Sequence, residues 1–485
     1  MKKSFLLGVA PTRRFVFSVE DAHRYKELVE ARLRQWNVPF VNIDSVNPEG
    51  LLISRQDAGK AAKLFAEAGV DAVFCPHVNF GTEEVVAQLA RELRKPFLLW
   101  GPRDEAPLPD GTRLRDTQCG LFASSNVLAK YGVPFSYIIN SRVDSVVFER
   151  GFSTFLAAAR AANRFLGARV GQVDPRPANF YTVICNEQEL LSRWGIELVP
   201  LSLVRLAKTV LEMVSTDARV KEEARSITGR IAVRGVEEPM IERIAALKLA
   251  LLDWAQREEL SAIAFKCHED LPQALGIYPC FVNGELTTLG VPVTCETDVH
   301  GALTALLLQA ATDTDNPPFF ADLTIRHPEE ENGELLWHCG NFPLALARDP
   351  GKAFLGKHPV IPPGDPGTGN FELKAGELTI ARFDGMNGEY SLFLGHARGI
   401  PGPYTLGSYL WVQVQDWPLW EEKLIRGPYV HHVAAIHDRE VAYALHEACR
   451  FIPGLTADPA TPTEEQIGHY LRGKDSGRSG ELGAD

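Results

Sequence analysis

No C-x-x-C pair occurs in this chain, although it carries eight cysteines, at positions 75, 119, 185, 267, 280, 295, 339 and 449. Thiols scattered in this way exclude a disulfide framework and a zinc-knuckle spacing. They read as reduced, mostly buried side chains. Positive charge is also scarce: 50 lysines and arginines face 62 aspartates and glutamates, a formal net charge of −12. No basic patch stands out, which excludes nucleic acid as the expected partner. No uncharged apolar run approaches bilayer length, so no membrane partner is expected either. The N-terminal apolar run, Phe5–Ala10, is short and is followed at once by Pro11, Arg13 and Arg14. It lacks a small-residue cleavage site, so it reads as a first strand and the chain as cytoplasmic. No G-x-G-x-x-G follows any strand, which excludes a dinucleotide site.

The 485 residues are too many for one core, and their texture divides them. Residues 1–166 alternate strand and helix repeatedly, the punctuation of a doubly wound parallel sheet. A second α/β unit covers 167–345 and includes a highly charged, solvated helix within 217–230. Residues 348–370 are so rich in proline and glycine that no regular structure is expected there. After them, Phe371–Phe383, Glu389–Gly395 and Tyr409–Val414 alternate like antiparallel strands, with turns at Asp384-Gly385 and Asn387-Gly388, and mark 346–473 as a β-rich domain. The expected fold is α/β, two doubly wound Rossmann-like domains followed by a smaller β-rich, barrel-like C-terminal domain. The tail 474–485 is expected to be disordered.

Three apolar runs between 289 and 341 each end in a metal-ligand type of residue. Leu289–Thr294 leads into Cys295 and Glu296, Phe319–Ala321 into Asp322, and Leu335–Trp337 into His338. Taken singly, Glu296 reads as a turn residue, Asp322 as a cap and His338 as a core histidine. Together, at the ends of strands placed side by side in an open α/β sheet, they would meet in the crevice where ligands bind. Two carboxylates and an imidazole suit one hard-to-borderline divalent cation with open positions. Asp298 reads as the N-cap of the helix 299–311, and His300 as a surface residue. His431 and His432 face opposite ways if they lie in a strand, giving one metal ligand and one substrate contact. With them the set suits Mn²⁺, Co²⁺ or Fe²⁺. Lys266 ends the strand 262–266 and is a candidate substrate contact. His358, in the Pro/Gly loop, reads as a surface histidine first and a lid contact second.

Several of these stretches resemble a known family. They are C-E-T-D-V-H-G-A-L-T (295–304), F-F-A-D-L (319–323), L-W-H-C-G-N (336–341) and the late His431-His432. They are similar to the L-fucose/L-arabinose isomerase superfamily, over essentially the whole chain. The resemblance implies an enzyme that interconverts an aldose and a ketose with a divalent metal, most often Mn²⁺. It implies that Glu296 and Asp322 are metal ligands and the acid/base pair, that His432 is a ligand, and that His338 matches the histidine ligand of the arabinose branch. Arg14 resembles an arginine that touches substrate from a neighbouring subunit, so a homo-oligomer, trimer or hexamer, with a shared site is expected. Asp at 322 is the fucose-branch residue, whereas the short chain and His338 lean towards the arabinose branch. The chain therefore reads as an outlying member whose sugar is not inherited from either name.

The expected reaction takes an open-chain sugar through a cis-enediol, one carboxylate removing the C2 proton and the other returning a proton across the enediol. The Pro/Gly loop is a candidate cover that excludes water. Two alternatives stay open: a cytoplasmic sugar-binding or regulatory protein, and a metal-dependent sugar epimerase or lyase on the same scaffold.

Overall fold

A computed structural model of the chain describes residues 5–362 and 364–473; the expected disordered tail lies outside them. The chain divides into two compact units. One comprises residues 1–160 with 464–485, the other residues 161–463. The helix Glu464–Arg472, placed by sequence with the C-terminal domain, thus groups with the first unit. Among the described residues no helix is long and apolar enough to cross a membrane.

In the first unit the strands are β1 (Leu7–Val9), β2 (Phe40–Val41), β3 (Ala72–Pro76), β4 (Phe97–Trp100) and β5 (Ser136–Tyr137). They form one parallel sheet in the order β2-β1-β3-β4-β5, a doubly wound topology. The local signals are strong. Ser54 and Asp57 form a reciprocal capping box at the start of the helix Arg55–Ala68, and Gly69 ends it in the left-handed conformation (φ 67°).

The second unit holds two sheets. In chain order its strands are β6 (Arg169–Val173), β7 (Glu197–Leu201), β8 (Ala232–Val233), β9 (Ala262–Phe265), β10 (Val293–Thr294), β11 (Phe319–Arg326) and β12 (Gly333–His338). There follow β13 (Phe354–Lys357), β14 (Pro366–Glu372), β15 (Glu377–Met386), β16 (Glu389–Gly399), β17 (Ser408–Gln413), β18 (His432–Ile436) and β19 (Leu455–Pro459). Strands β10-β9-β6-β7 form the second parallel sheet, again doubly wound. Strands β16-β15-β18-β11-β12-β17 pair antiparallel, and β17 pairs back to β16, which closes a six-stranded barrel.

Barrel closure corrects two sequence expectations. β11 and β12, read as strands of the second α/β domain, belong to the barrel, so Asp322 does not end a strand beside the one before Glu296. An apolar run of three to six residues looks the same in a parallel sheet and in a barrel wall. The Pro/Gly-rich segment 348–370 also contains β13 and most of β14. Gly367 explains part of this. It lies at φ 128°, and a Cβ there would come within 2.0 Å of the Tyr278 carbonyl oxygen. Glycine here permits a close strand approach rather than a loop.

Between sheet and barrel runs the helix Val299–Ala311. It packs on β9 of the sheet and on β15 and β18 of the barrel. Burial on both sides accounts for its nearly continuous apolar sequence.

Candidate active site and metal centre

The turn after β10 delivers the first carboxylate. Glu296 and Thr297 both take left-handed backbone conformations, φ 55° and 57°, unusual for residues with side chains. The turn is locked by Thr297 N–H donating to the Phe265 carbonyl (3.1 Å), Asp298 N–H donating to the Cys295 carbonyl (3.1 Å), and the Thr294 hydroxyl donating to the Asp298 carbonyl (2.8 Å). Such strain costs about 1–3 kcal/mol per residue and persists where the surroundings over-determine it. Its effect here is to turn the Glu296 side chain inwards, 6% exposed, while Asp298 caps the following helix by accepting Gly301 N–H at 2.8 Å.

The barrel delivers the remaining donors. In the β11–β18 register Asp322 lies directly opposite His432, which places both on one face. Asp322 Oδ1 is 3.4 Å from His432 Nε2. His338 ends β12, with its Nε2 3.6 Å from Glu296 Oε2, and His432 Nε2 is 3.7 Å from the same oxygen. Phe320 packs against both imidazoles, with ring centroids 5.6 Å from His338 and 4.9 Å from His432. Glu296 Oε2, Asp322 Oδ1 and His338 Nε2 are buried and have no hydrogen-bond partner. An orphaned buried polar atom costs about 1–3 kcal/mol. Glu296 Oε2 lies within 3.7 Å of both imidazole nitrogens and Asp322 Oδ1 within 3.4 Å of one of them, which makes these residues candidate donors to a divalent cation.

Behind His432 stands a buried ionic chain. His432 Nδ1 donates to Asp298 Oδ2 at 2.9 Å, which leaves Nε2 as the free lone pair facing the centre. Arg382, wholly buried, also donates to Asp298 Oδ2, and its Nε and second terminal nitrogen fork onto Asp384 Oδ2 at 2.9 and 2.7 Å. His300 Nδ1 contacts the other Asp384 oxygen at 2.9 Å. His300, expected at the surface, is therefore buried, because its helix is covered by the barrel as well as by the sheet. Asp384, read as part of a turn, lies in β15.

The electrostatics favour added positive charge. Asp298 and Asp384 pair with the Arg382 guanidinium, while Glu296 and Asp322 face the imidazoles of His338 and His432. Burial works to raise the Glu296 carboxyl, but the charge and contact of His338 and the charge of His432 outweigh it and hold it at about 2. Burial likewise raises Asp298, but Arg382 and His432 pull it well below the carboxylate range. Burial works to lower both imidazoles. His338 is nevertheless raised well above its usual range, chiefly by Asp322 and Glu296, and His432 is raised chiefly by Asp298 and Asp322. A divalent cation would supply the charge that protons otherwise supply.

These donors open into a cavity of about 210 Å³, walled by Phe180, Tyr278, Trp337, His268, His358 and His431. His431 is exposed and its ring lies tilted against that of His432, centroids 4.2 Å apart. His358, read first as a surface residue, is buried here against the Tyr278 ring at 4.2 Å, and burial pushes it down to about 4. Not every predicted contact arrives. Lys266 is absent from the lining, and its ammonium lies 2.6 Å from Asp270 and 3.1 Å from Glu269. Arg14 belongs to the other unit, where it contacts Glu83 at 2.5 Å and lies over the Phe80 ring at 4.2 Å. Among the described residues no lysine or arginine lines the cavity. His268, Phe180, Tyr278 and Trp337 carried no signal in the sequence beyond following strand-like or turn-like runs, and neither did Arg382.

A family model described as the N-terminal domain of fucose/sulfoquinovose isomerase matches residues 8–165. A sulfoquinovose isomerase from Priestia aryabhattai is 26% identical over 405 residues, 81% of this chain and 86% of the relative. These matches support the fucose/arabinose isomerase superfamily, with this chain as an outlying member. A second superfamily relative, the sulfoquinovose isomerase from Alkalicoccus urumqiensis, is 26% identical over 342 residues, 68% of this chain and 73% of the relative. Among solved structures, a periplasmic solute-binding protein from Actinobacillus succinogenes with bound D-allose aligns at 11% identity with a TM-score of 0.16, a likeness that carries no argument.

Proposed function

We propose that this chain is a metal-dependent aldose–ketose isomerase acting on an open-chain sugar through a cis-enediol. The observation that carries the reading is the convergence of Glu296 Oε2, Asp322 Oδ1, His338 Nε2 and His432 Nε2, three of them buried and otherwise unpartnered. Mn²⁺ is the cation that best suits two carboxylates and two imidazoles in an open site. Bound there, it would supply Lewis-acid polarisation of the sugar oxygens at C1 and C2.

The remaining work falls to side chains. Glu296, held ionised, and Asp322 flank the cavity floor and form the acid/base pair. One removes the proton from C2 and the other delivers a proton to C1 across the enediol, while the O2 hydroxyl proton is lost and O1 gains one, so that the C2 carbonyl forms as the C1 carbonyl becomes a hydroxyl. Asp298 holds His432 in the tautomer that presents Nε2. His431 and His358 are placed to accept or donate hydrogen bonds to sugar hydroxyls, and Phe180, Tyr278 and Trp337 narrow the cavity and exclude water. The relatives' names make the sulfonated hexose sulfoquinovose the first candidate substrate. Neutral aldoses belong in the same screen, because the cavity walls supply histidines rather than a fixed cation. The test is a panel of sulfoquinovose and neutral aldoses with chelator-treated protein, before and after Mn²⁺ is restored. Ketose formation only with metal supports the reading. Full activity in verified metal-free protein, or an epimer or cleaved sugar in place of a ketose, removes it.

A further inference from the structure

Glu296 has two oxygens that meet two different chemistries. Oε2 faces the imidazoles and carboxylate of the hard centre. Oε1 accepts the thiol of Cys267 at 3.4 Å. Cys267 and His268 follow β9 after the single residue Lys266, and both line the cavity. The Cys267 sulfur, a ring nitrogen of His268 and a carboxylate oxygen of Glu296 all lie within 4.8 Å of one another. Cys295 can be explained by packing: it is buried and takes the side-chain amides of Asn283 and Asn341 at 3.5 and 3.4 Å. Cys267 differs, because its sulfur touches a carboxylate at the wall of an open cavity.

We propose that Cys267, His268 and Glu296 form a second cation site, selective for a soft or borderline divalent ion such as Zn²⁺ or Cd²⁺, which shares Glu296 with the hard centre. One thiolate, one imidazole and one carboxylate make a three-ligand zinc set with a fourth position open to the cavity. Tetrahedral Zn–S and Zn–O bonds place sulfur and oxygen roughly 3.6 Å apart, and Cys267 and Glu296 already stand at 3.4 Å. Thiolate sulfur is a poor ligand for Mn²⁺ and a strong one for Zn²⁺, so the two sites select different ions. Coordination releases the thiol proton to water and involves no redox step. Because one carboxylate serves both sites, an ion at Cys267 weakens the hard centre, and soft cations act as inhibitors. The binding claim stands on this geometry alone; only the inhibitory consequence rests on the isomerase reading.

The test titrates Cd²⁺ into the full chain held in saturating Mn²⁺ and follows the ultraviolet charge-transfer absorption of cadmium thiolate. The expected result is a band that saturates, is absent in Cys267→Ser, and is retained in Cys280→Ser and Cys339→Ser. His268→Ala, at a half-exposed position that leaves the core intact, should bind Cd²⁺ at least tenfold more weakly. No band in the native chain, a band unchanged in Cys267→Ser, or equal affinity in His268→Ala overturns the proposal. In the activity arm, Cd²⁺ should inhibit the native enzyme and spare any residual turnover of His268→Ala; inhibition of both alike removes the regulatory consequence. A chain with no isomerase activity would still give the band, so failure of the two readings can be told apart.

Discussion

Asp298→Asn probes the chain Arg382–Asp298–His432 with little change of shape. Asparagine keeps one acceptor oxygen to cap the helix Val299–Ala311 at Gly301 N–H, while its amide NH2 replaces the Oδ2 that faces His432 Nδ1 and Arg382. What it removes is the charge opposite Arg382, which is wholly buried. Breaking a buried ion pair from one side costs about 3–5 kcal/mol. The Asp384 fork onto Arg382 survives, so a cost at or just below the low end of that range, about 2–3 kcal/mol, is expected. Metal affinity should fall as well, by about 10–100-fold, because an outer partner of a ligating histidine is weakened. Two assays read the two effects: urea unfolding of the metal-free chain, and calorimetric titration with Mn²⁺. Asp298→Ala should lose about 1 kcal/mol more, the value of the cap. Adding Arg382→Met to Asp298→Asn should recover stability, since the stranded cation is gone. If Asp298→Asn keeps both the unfolding midpoint and the Mn²⁺ affinity, Asp298 is a helix cap only and the chain behind His432 has no role.

Four further outcomes are expected. Glu296→Gln and Asp322→Asn should each lose about 10²–10⁴-fold in turnover, with losses that do not multiply in the double variant; bound metal measured in each separates ligand loss from base loss. Isomerisation in D₂O should place deuterium on the product carbon, whereas no deuterium with full retention of a C2 label indicates a hydride shift and leaves both carboxylates as ligands only. His77 is wholly buried in the first unit and pushed by burial to about 4, so the unfolded chain takes the proton first; stability should fall as pH drops from about 6.5 to about 4, by up to about 3 kcal/mol, and a His77→Gln chain with the same acid slope would count against this. Light scattering should show a homo-oligomer, trimer or hexamer, and a fully active monomer would remove the expectation that Arg14 serves a neighbouring subunit's site.

The four candidate donors could be named from sequence because Glu296, Asp322 and His338 close apolar runs and His432 stands in a late His-His pair; each lies within 3.7 Å of at least one of the others. Their route to one point was not legible. Periodicity places a residue on a strand but says nothing about which sheet the strand joins, so Asp322 and His338 were assigned to the crevice of a parallel sheet when they project from a barrel wall. The alternation of α and β elements, by contrast, is a local signal written in caps, turns and period, and both doubly wound sheets follow it.

The supporting shell was hidden for a different reason. Arg382 sits inside an alternating strand and His300 on a first helical turn, positions where a charged residue ordinarily meets water. Only the closing of the barrel over the helix Val299–Ala311 turns those positions inward, and closure depends on the pairing of β16 with β17, whose contacts join Arg398 to Gln413 and Gly399 to Val412. The same closure brings the turn after β10 against β12 and β18, so the fold and the candidate centre depend on one another. A barrel wall supplies Asp322, His338 and His432, a sheet edge supplies Glu296, and Asp298 ties them together by capping the helix that separates the two layers while holding the imidazole that faces the metal position. A substitution that loosens the barrel seam should therefore cost metal affinity before it costs the parallel sheet, since three of the four donors ride on the barrel.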